Sequence, residues 1–205
     1  MTLLELIVAA ALAVLLLTMF FWFLVPSMRL SGQQSARVDI QQQTTLAVRK
    51  IVADLECSTT DGIGILPTDG AQPSRPVAVG INRLDDVLAD GQQSWQNSLA
   101  IYYWDRSDHR LYYKEWPPEP PSLGIPFASS RATKPSPQDL LEIVNNNNGT
   151  RRSLALGVAE FELRHTGVGD SIGLPLTVRL VLEREVAQKS ETERFEMERT
   201  VMVRN

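Results

Sequence analysis

The sequence predicts an α+β protein in which one long N-terminal helix lies on an antiparallel β-sheet domain. Three observations carry that prediction. Residues 6–25 form an unbroken apolar run, residues 29–57 change to an amphipathic helical spacing, and the last third of the chain alternates apolar and polar residues. A chain of 205 residues holds one globular domain with its own core once the leading helix is set apart. The expected units are residues 1–28, 29–57 and 58–205, the last interrupted by a proline-rich loop at 117–137.

Within residues 6–25 the only polar member is Thr18. At a rise of about 1.5 Å per residue such a helix spans about 30 Å, the thickness of a bilayer's hydrocarbon layer. A cleaved secretory signal has a basic leader, a shorter apolar run and a small-residue cleavage site. Here the first basic residue is Arg29, so the segment reads as a retained membrane span. If residue 1 is the start of translation, the positive-inside rule alone places the following domain in the cytoplasm. Glu5 breaks the pattern, because an ionised carboxylate in hydrocarbon costs several kcal/mol. Two readings explain it. Position 5 lies within about 8 Å of the helix start, so its side chain can reach the head groups. Alternatively it meets a cation from a neighbouring copy, the nearest candidate being the free α-amine of Met1, and the pair sets the axial register of stacked copies.

The segment Met1-Thr2-Leu3-Leu4-Glu5-Leu6-Ile7, followed by the apolar run, resembles the mature N-terminus of type IV pilins and type II secretion pseudopilins. That resemblance implies that a short basic leader ending in glycine is removed by a prepilin peptidase, which methylates the new amine of Met1. It also implies the opposite orientation, with the C-terminal domain outside the cytoplasm. Leu3, Leu4, Leu6, Ile7, Leu12, Leu16, Phe20 and Trp22 are then the membrane and filament core, while Glu5 and Met1 set register. The implied partners are other pilin or pseudopilin subunits, an inner-membrane assembly platform and the peptidase. The implied location is the bacterial cytoplasmic membrane, then a periplasmic or cell-surface filament. Two positions depart from the family's habit: Met1 stands where most members have phenylalanine, and Trp22 where proline is common, the helix-perturbing proline being Pro26.

Beyond Pro26, Ile40, Val48, Ile51 and Leu55 fall near a helical repeat, while Arg37, Asp39, Gln41, Gln42, Arg49 and Lys50 lie mostly off it. One helix to about Cys57 follows, with Pro26 and Gly32 as weak points and the run Ser58-Thr59-Thr60-Asp61-Gly62 as its stop. A short helix is expected near residues 84–88. Leu99-Ala100-Ile101-Tyr102-Tyr103-Trp104 and Arg110-Leu111-Tyr112-Tyr113-Lys114 read as a hairpin around a polar turn. The stretch 117–137 holds seven of the twelve prolines, which excludes helix interior and central strand and leaves an irregular loop. Asn145-Asn146-Asn147-Asn148-Gly149 reads as a turn. Cleaner alternation follows: Ala159, Phe161 and Leu163 against Glu160, Glu162 and Arg164, then Leu176, Val178, Leu180 and Leu182 against Thr177, Arg179 and Glu183. A last strand is expected over residues 194–203. Such patterning describes an antiparallel sheet with one wet face and one face covering the helix. This order of elements is similar to that of the J-type minor pseudopilins and W-type minor pilins.

Little in the chain points to catalysis. His109 and His165 have no Cys, His or carboxylate partner at a metal-ligand spacing, and the simpler reading is a turn or strand-edge histidine. No nucleophile elbow, phosphate-cradling glycine loop or paired-cysteine motif is present, so an enzyme is not expected and no cofactor is implied. The net charge of −4, without a run of like charges, gives no footprint for nucleic acid. Asp105 and Asp108 are a weak calcium candidate, and Asn148-Gly149-Thr150 fits a glycosylation sequon. The single Cys57 excludes an internal disulfide and reads as a small buried hydrophobe. Tyr102, Tyr103, Trp104, Tyr112, Tyr113 and Trp116 are the densest aromatic group; on a two-sided hairpin about half should face away from the core, as a partner surface or as cross-strand pairs. The function expected is a structural subunit, minor, tip or initiating, of a type IV pilus or type II secretion pseudopilus. The alternative is a single-pass anchored adhesin or binding module acting as a monomer.

Overall fold

The computed structural model describes residues 2–66, 77–87, 89, 91–117, 131–146, 148–167, 171–185 and 192–203. Helix α1, Leu3–Glu56, is a single element of 54 residues that passes through Pro26 and Gly32 without a break in its assignment. Its threonines turn back on the helix itself. Thr18, Thr44 and Thr45 donate to the carbonyls of Val14, Ile40 and Gln41 at 2.7–2.8 Å, so each polar group is satisfied without a neighbour. The helix stops at Cys57, whose N–H reaches Ala53 O at 3.2 Å, and the end is tied to the sheet by Leu84 N–H on Cys57 O at 2.7 Å and Ser58 Oγ on Asn82 O at 2.7 Å. A 3₁₀ turn, Thr60–Gly62, leads into the first strand.

Five strands follow: β1 Ile63–Leu66, β2 Val77–Val87, β3 Gln93–Asp105, β4 Arg110–Trp116 and β5 Arg151–Leu156. They form one antiparallel sheet in the order β1-β2-β3-β4-β5. Between β4 and β5 lies α2, Pro137–Asn145, opened by Pro137 at its first turn and by a reciprocal Ser136–Asp139 capping box. A second antiparallel sheet contains β6 Val158–Arg164, β7 Leu176–Glu185 and β8 Thr192–Val201. The domain is thus α+β with antiparallel sheets, as expected, but the strands are divided between two sheets rather than one.

Two apolar layers hold it together. The main core gathers Ile40, Ala47, Val48, Ile51 and Leu55 of α1 with inward residues of both sheets, among them Ile81, Tyr102, Phe161 and Leu180. A second layer puts Leu140 and Ile143 of α2 on the opposite face of the five-stranded sheet, against Leu99, Ile101, Tyr103, Tyr112 and Trp116. Only the three-stranded sheet therefore keeps the wet face expected of a single sheet. There Arg179 lies 2.6 Å from Glu160 and 2.7 Å from Glu196, and Arg194 lies 3.2 Å from Glu160 and from Glu183.

Several expectations need correction. Residues 84–87 are strand, not helix: Leu84 pairs with Trp95 across β3 and donates to Cys57 O, and those long-range partners override a local helical tendency. Leu88 lies outside the described residues. On β6 a register shift between Val158 and Glu160 moves the inward set to Val158, Phe161 and Leu163, displacing Ala159. The last strand begins at Thr192 and ends at Val201. Of the loop expected at 117–137, residues 118–130 lie outside the described set, and its end is the start of α2.

Candidate functional site

The apolar half of α1 touches nothing in its own domain. Leu3 is 79% exposed and Trp22 83%, and Leu4, Leu6, Ile7, Leu12, Leu16 and Phe20 are all exposed. An 18-residue window of the helix has mean hydropathy 2.7 and no buried residue, so it is long and apolar enough to cross a membrane. The buried side chains of the helix begin at Ile40. The two halves thus have different tasks: residues 40–55 complete the domain's core, and residues 3–25 present apolar surface to something outside the chain.

Glu5 is built into the helix start. Its Oε2 accepts the Thr2 N–H at 2.8 Å, and Thr2 Oγ1 accepts the Glu5 N–H at 3.4 Å, a reciprocal capping box. This third role was not anticipated. It was legible, since a Thr three residues before a Glu ahead of an apolar run is the capping signature. The carboxylate also lies where the helix dipole favours an anion. One oxygen satisfies the cap, and the group remains exposed at the chain's start. Met1 lies outside the described residues, so the pairing of Glu5 with its amine has no geometry here.

The aromatic hairpin is in the expected place but not in the expected environment. Tyr102, Tyr103, Tyr112, Tyr113 and Trp116 are all buried and Trp104 is half-buried, so no half of the set faces solvent. The reason is the second layer: α1 covers the Tyr102 and Tyr113 face, and α2 covers the Tyr103, Tyr112 and Trp116 face. The cross-strand alternative describes them better. Tyr103 stacks on Tyr112 and Tyr102 tilts against Tyr113, each with ring centroids 5.3 Å apart. Cys57 is likewise corrected: it is exposed at the helix end, because the C-cap turn points it outward from the core that Leu55 enters.

The remaining candidates are structural. Asp105 Oδ1 accepts from Ser107 N and Oγ, forming the hairpin turn, and Asp108 Oδ2 accepts the Tyr112 hydroxyl at 2.5 Å. His109 holds the left-handed position of that turn at φ 53°, and His165 Nδ1 accepts the Gly167 N–H at 3.2 Å. Among the described residues no three His, Cys, Asp or Glu side chains are grouped to hold a metal. Asn148, Gly149 and Thr150 are exposed between α2 and β5.

One cluster was missed altogether. Asp54 is a buried acid on the inward side of α1, where it accepts the hydroxyl proton of Tyr102 and lies 3.7 Å from Arg83 and 3.6 Å from Lys50. Arg83 in turn donates to Glu115 at 2.7 Å, and Ser98 Oγ donates to the same oxygen at 3.0 Å. Burial, then the Asp54 charge, raises the Tyr102 phenol far above the ordinary tyrosine value. Burial opposes the Arg83 charge, but Asp54 and Glu115 more than offset it and hold the guanidinium firmly protonated. The signal was present in the helical repeat: position 54 falls three residues after Ile51 and seven after Ala47, on the apolar stripe where an acid needs a partner. The cluster joins α1, β2, β3 and β4. It clamps the helix to the sheet.

Compared with known proteins, the chain matches no family model, no curated protein and no solved structure.

Proposed function

We propose that this chain is a structural subunit, minor, tip or initiating, of a type IV pilus or type II secretion pseudopilus, assembling through residues 3–25 of α1. The observation that carries the proposal is the division of one continuous helix into a half with one face buried in the core and an apolar half with no buried residue. Such a surface has to be covered by lipid, by other helices, or by each in turn. Glu5 supports assembly over simple anchoring, because an acid at this depth is costly for a permanent anchor and useful for register. On this reading the domain lies outside the cytoplasm, Met1 is a processed and methylated amine, and the inner-membrane platform and prepilin peptidase act on the subunit. The rival, a monomeric anchored adhesin, loses the support of the aromatic hairpin, whose rings are buried.

The test is Glu5→Ala in cells that build the filament. Membrane insertion should persist, because the helix keeps its apolar length, while incorporation into filaments should fall at least tenfold. Copurification of the variant with filaments at the normal level would sink the register role. Crosslinking between copies through residues 3–25 separates assembly from a monomeric anchor, which gives no crosslinked product.

A further inference from the structure

A cavity of about 620 Å³ opens beside Lys50 of α1, between the middle of β3, the end of β4 and the start of β5. That volume is within the usual range of about 300–1,000 Å³ for small-molecule sites. Its charged and hydroxyl lining is Lys50, Ser98, Tyr113, Glu115, Thr150 and Arg152. The charges are not balanced. Glu115 is already paired with Arg83, which lies outside the lining, at 2.7 Å, and accepts a hydrogen bond from Ser98 within it at 3.0 Å. Lys50 lies 4.6 Å over the Tyr113 ring and shares Asp54 at 3.6 Å. Arg152 is exposed and, among the described residues, has no carboxylate within ion-pair distance. Two cations thus line one recess beside a tyrosine ring, Arg152 without a carboxylate partner among the described residues and Lys50 sharing Asp54 with Arg83.

We propose that this recess binds a small molecule bearing an oxyanion, a carboxylate or a phosphate, held by the Arg152 guanidinium and the Lys50 ammonium. A guanidinium fork matches either group through two parallel N–H donors, and the ammonium adds a second charge from the helix side. The Thr150 hydroxyl lines the same space and can supply a further donor, whereas that of Ser98 is already given to Glu115. The recess lies about 37 Å along α1 beyond Val25, at about 1.5 Å per residue, so ligand binding and filament assembly are separable by experiment.

The test uses the full chain in neutral detergent at pH 7 and fixed ionic strength, titrated calorimetrically with inorganic phosphate in one arm and succinate in the other. Saturable binding at one site is expected for at least one probe, and the arm that saturates tells phosphate from carboxylate recognition. Arg152→Gln and Lys50→Gln should each weaken it tenfold or more, and Arg152→Gln, which removes no partner of the Asp54 clamp, should do so with the melting temperature unchanged. Arg199→Gln, which removes an exposed charge from the other sheet, should bind as the parent does. Absence of saturation with both probes overturns the proposal, and so does an Arg152→Gln chain that binds like the parent.

Discussion

At Tyr102 the fold places a phenol fully inside the protein and gives its proton to a buried carboxylate on a helix 48 residues earlier in the chain. Ionising that phenol would put a second negative charge beside Asp54, so folding and protonation are linked. Tyr103, Tyr112 and Tyr113 are also raised above the ordinary value, Tyr103 and Tyr113 mainly by burial and Tyr112 mainly by its bond to Asp108. A group whose folded value exceeds its unfolded value binds more protons when folded. Its stabilisation is complete below the unfolded value, about 10 for tyrosine, and is lost as pH rises beyond it. Lys114 works in the other direction: burial, then Arg151, lowers its value, so its cost to the folded state is relieved as pH approaches 10. With four tyrosines against one lysine, stability should be flat near neutrality and fall above pH 10. Denaturant midpoints measured from pH 8 to 12 check this, and Tyr102→Phe should start lower but decline less steeply. Equal slopes for the two chains would show that Tyr102 does not carry the linkage.

At the scale of an element, α1 is two helices in function and one in geometry. Its C-terminal half is stabilised by packing, since Ile51 and Leu55 are fully buried between the sheets, whereas Leu46 on the same stretch is 66% exposed. Ile51→Ala should therefore cost about 2–5 kcal/mol through lost burial and a residual cavity. Leu46→Ala, on the same helix with similar chemistry, should change stability by about 0.5 kcal/mol or less. Chemical denaturation of both variants checks the contrast. This helix was legible because its repeat and its stop residues act locally. The strands β1, β2 and β5 were not, because what defines them is distant. Asn82 illustrates the difficulty: its side chain donates to Gln96 O and Ser98 O and accepts from Thr133 N, fastening β2, β3 and the approach to α2, and no local spacing announces that. Helix α2 was hidden for another reason. Proline density from 117 to 137 argued for a loop, yet the last of those prolines occupies the first helical turn, where its missing N–H costs nothing. Lys114 then closes the other end of α2, donating to Ile143 O at 3.1 Å and Asn146 O at 2.5 Å.

For the whole molecule, these distinctions amount to a domain that is complete without the apolar half of its longest element. Among the described residues, burial in α1 starts at Ile40, and the nearest earlier tie to the domain is the ion pair of Asp39 with Arg184 at 2.7 Å. Residues 2–28 contribute no buried side chain to either core layer. An exposed ion pair is worth about 0–1 kcal/mol, and it is retained if the chain is cut before it. Deleting residues 1–28 should therefore give a domain that stays in solution without detergent and unfolds within about 1 kcal/mol of the full chain measured in neutral detergent. Residues 29–39 should fray at the new helix end, because a helix start without its capping box leaves its first N–H groups to water. Circular dichroism during denaturation, with hydrogen exchange on the remaining helix, reads both effects. A truncated chain that fails to fold would mean that the first half of α1 supports the domain through contacts other than packing. A stable one would place the work of residues 1–28 entirely outside the domain, in whatever covers their apolar surface.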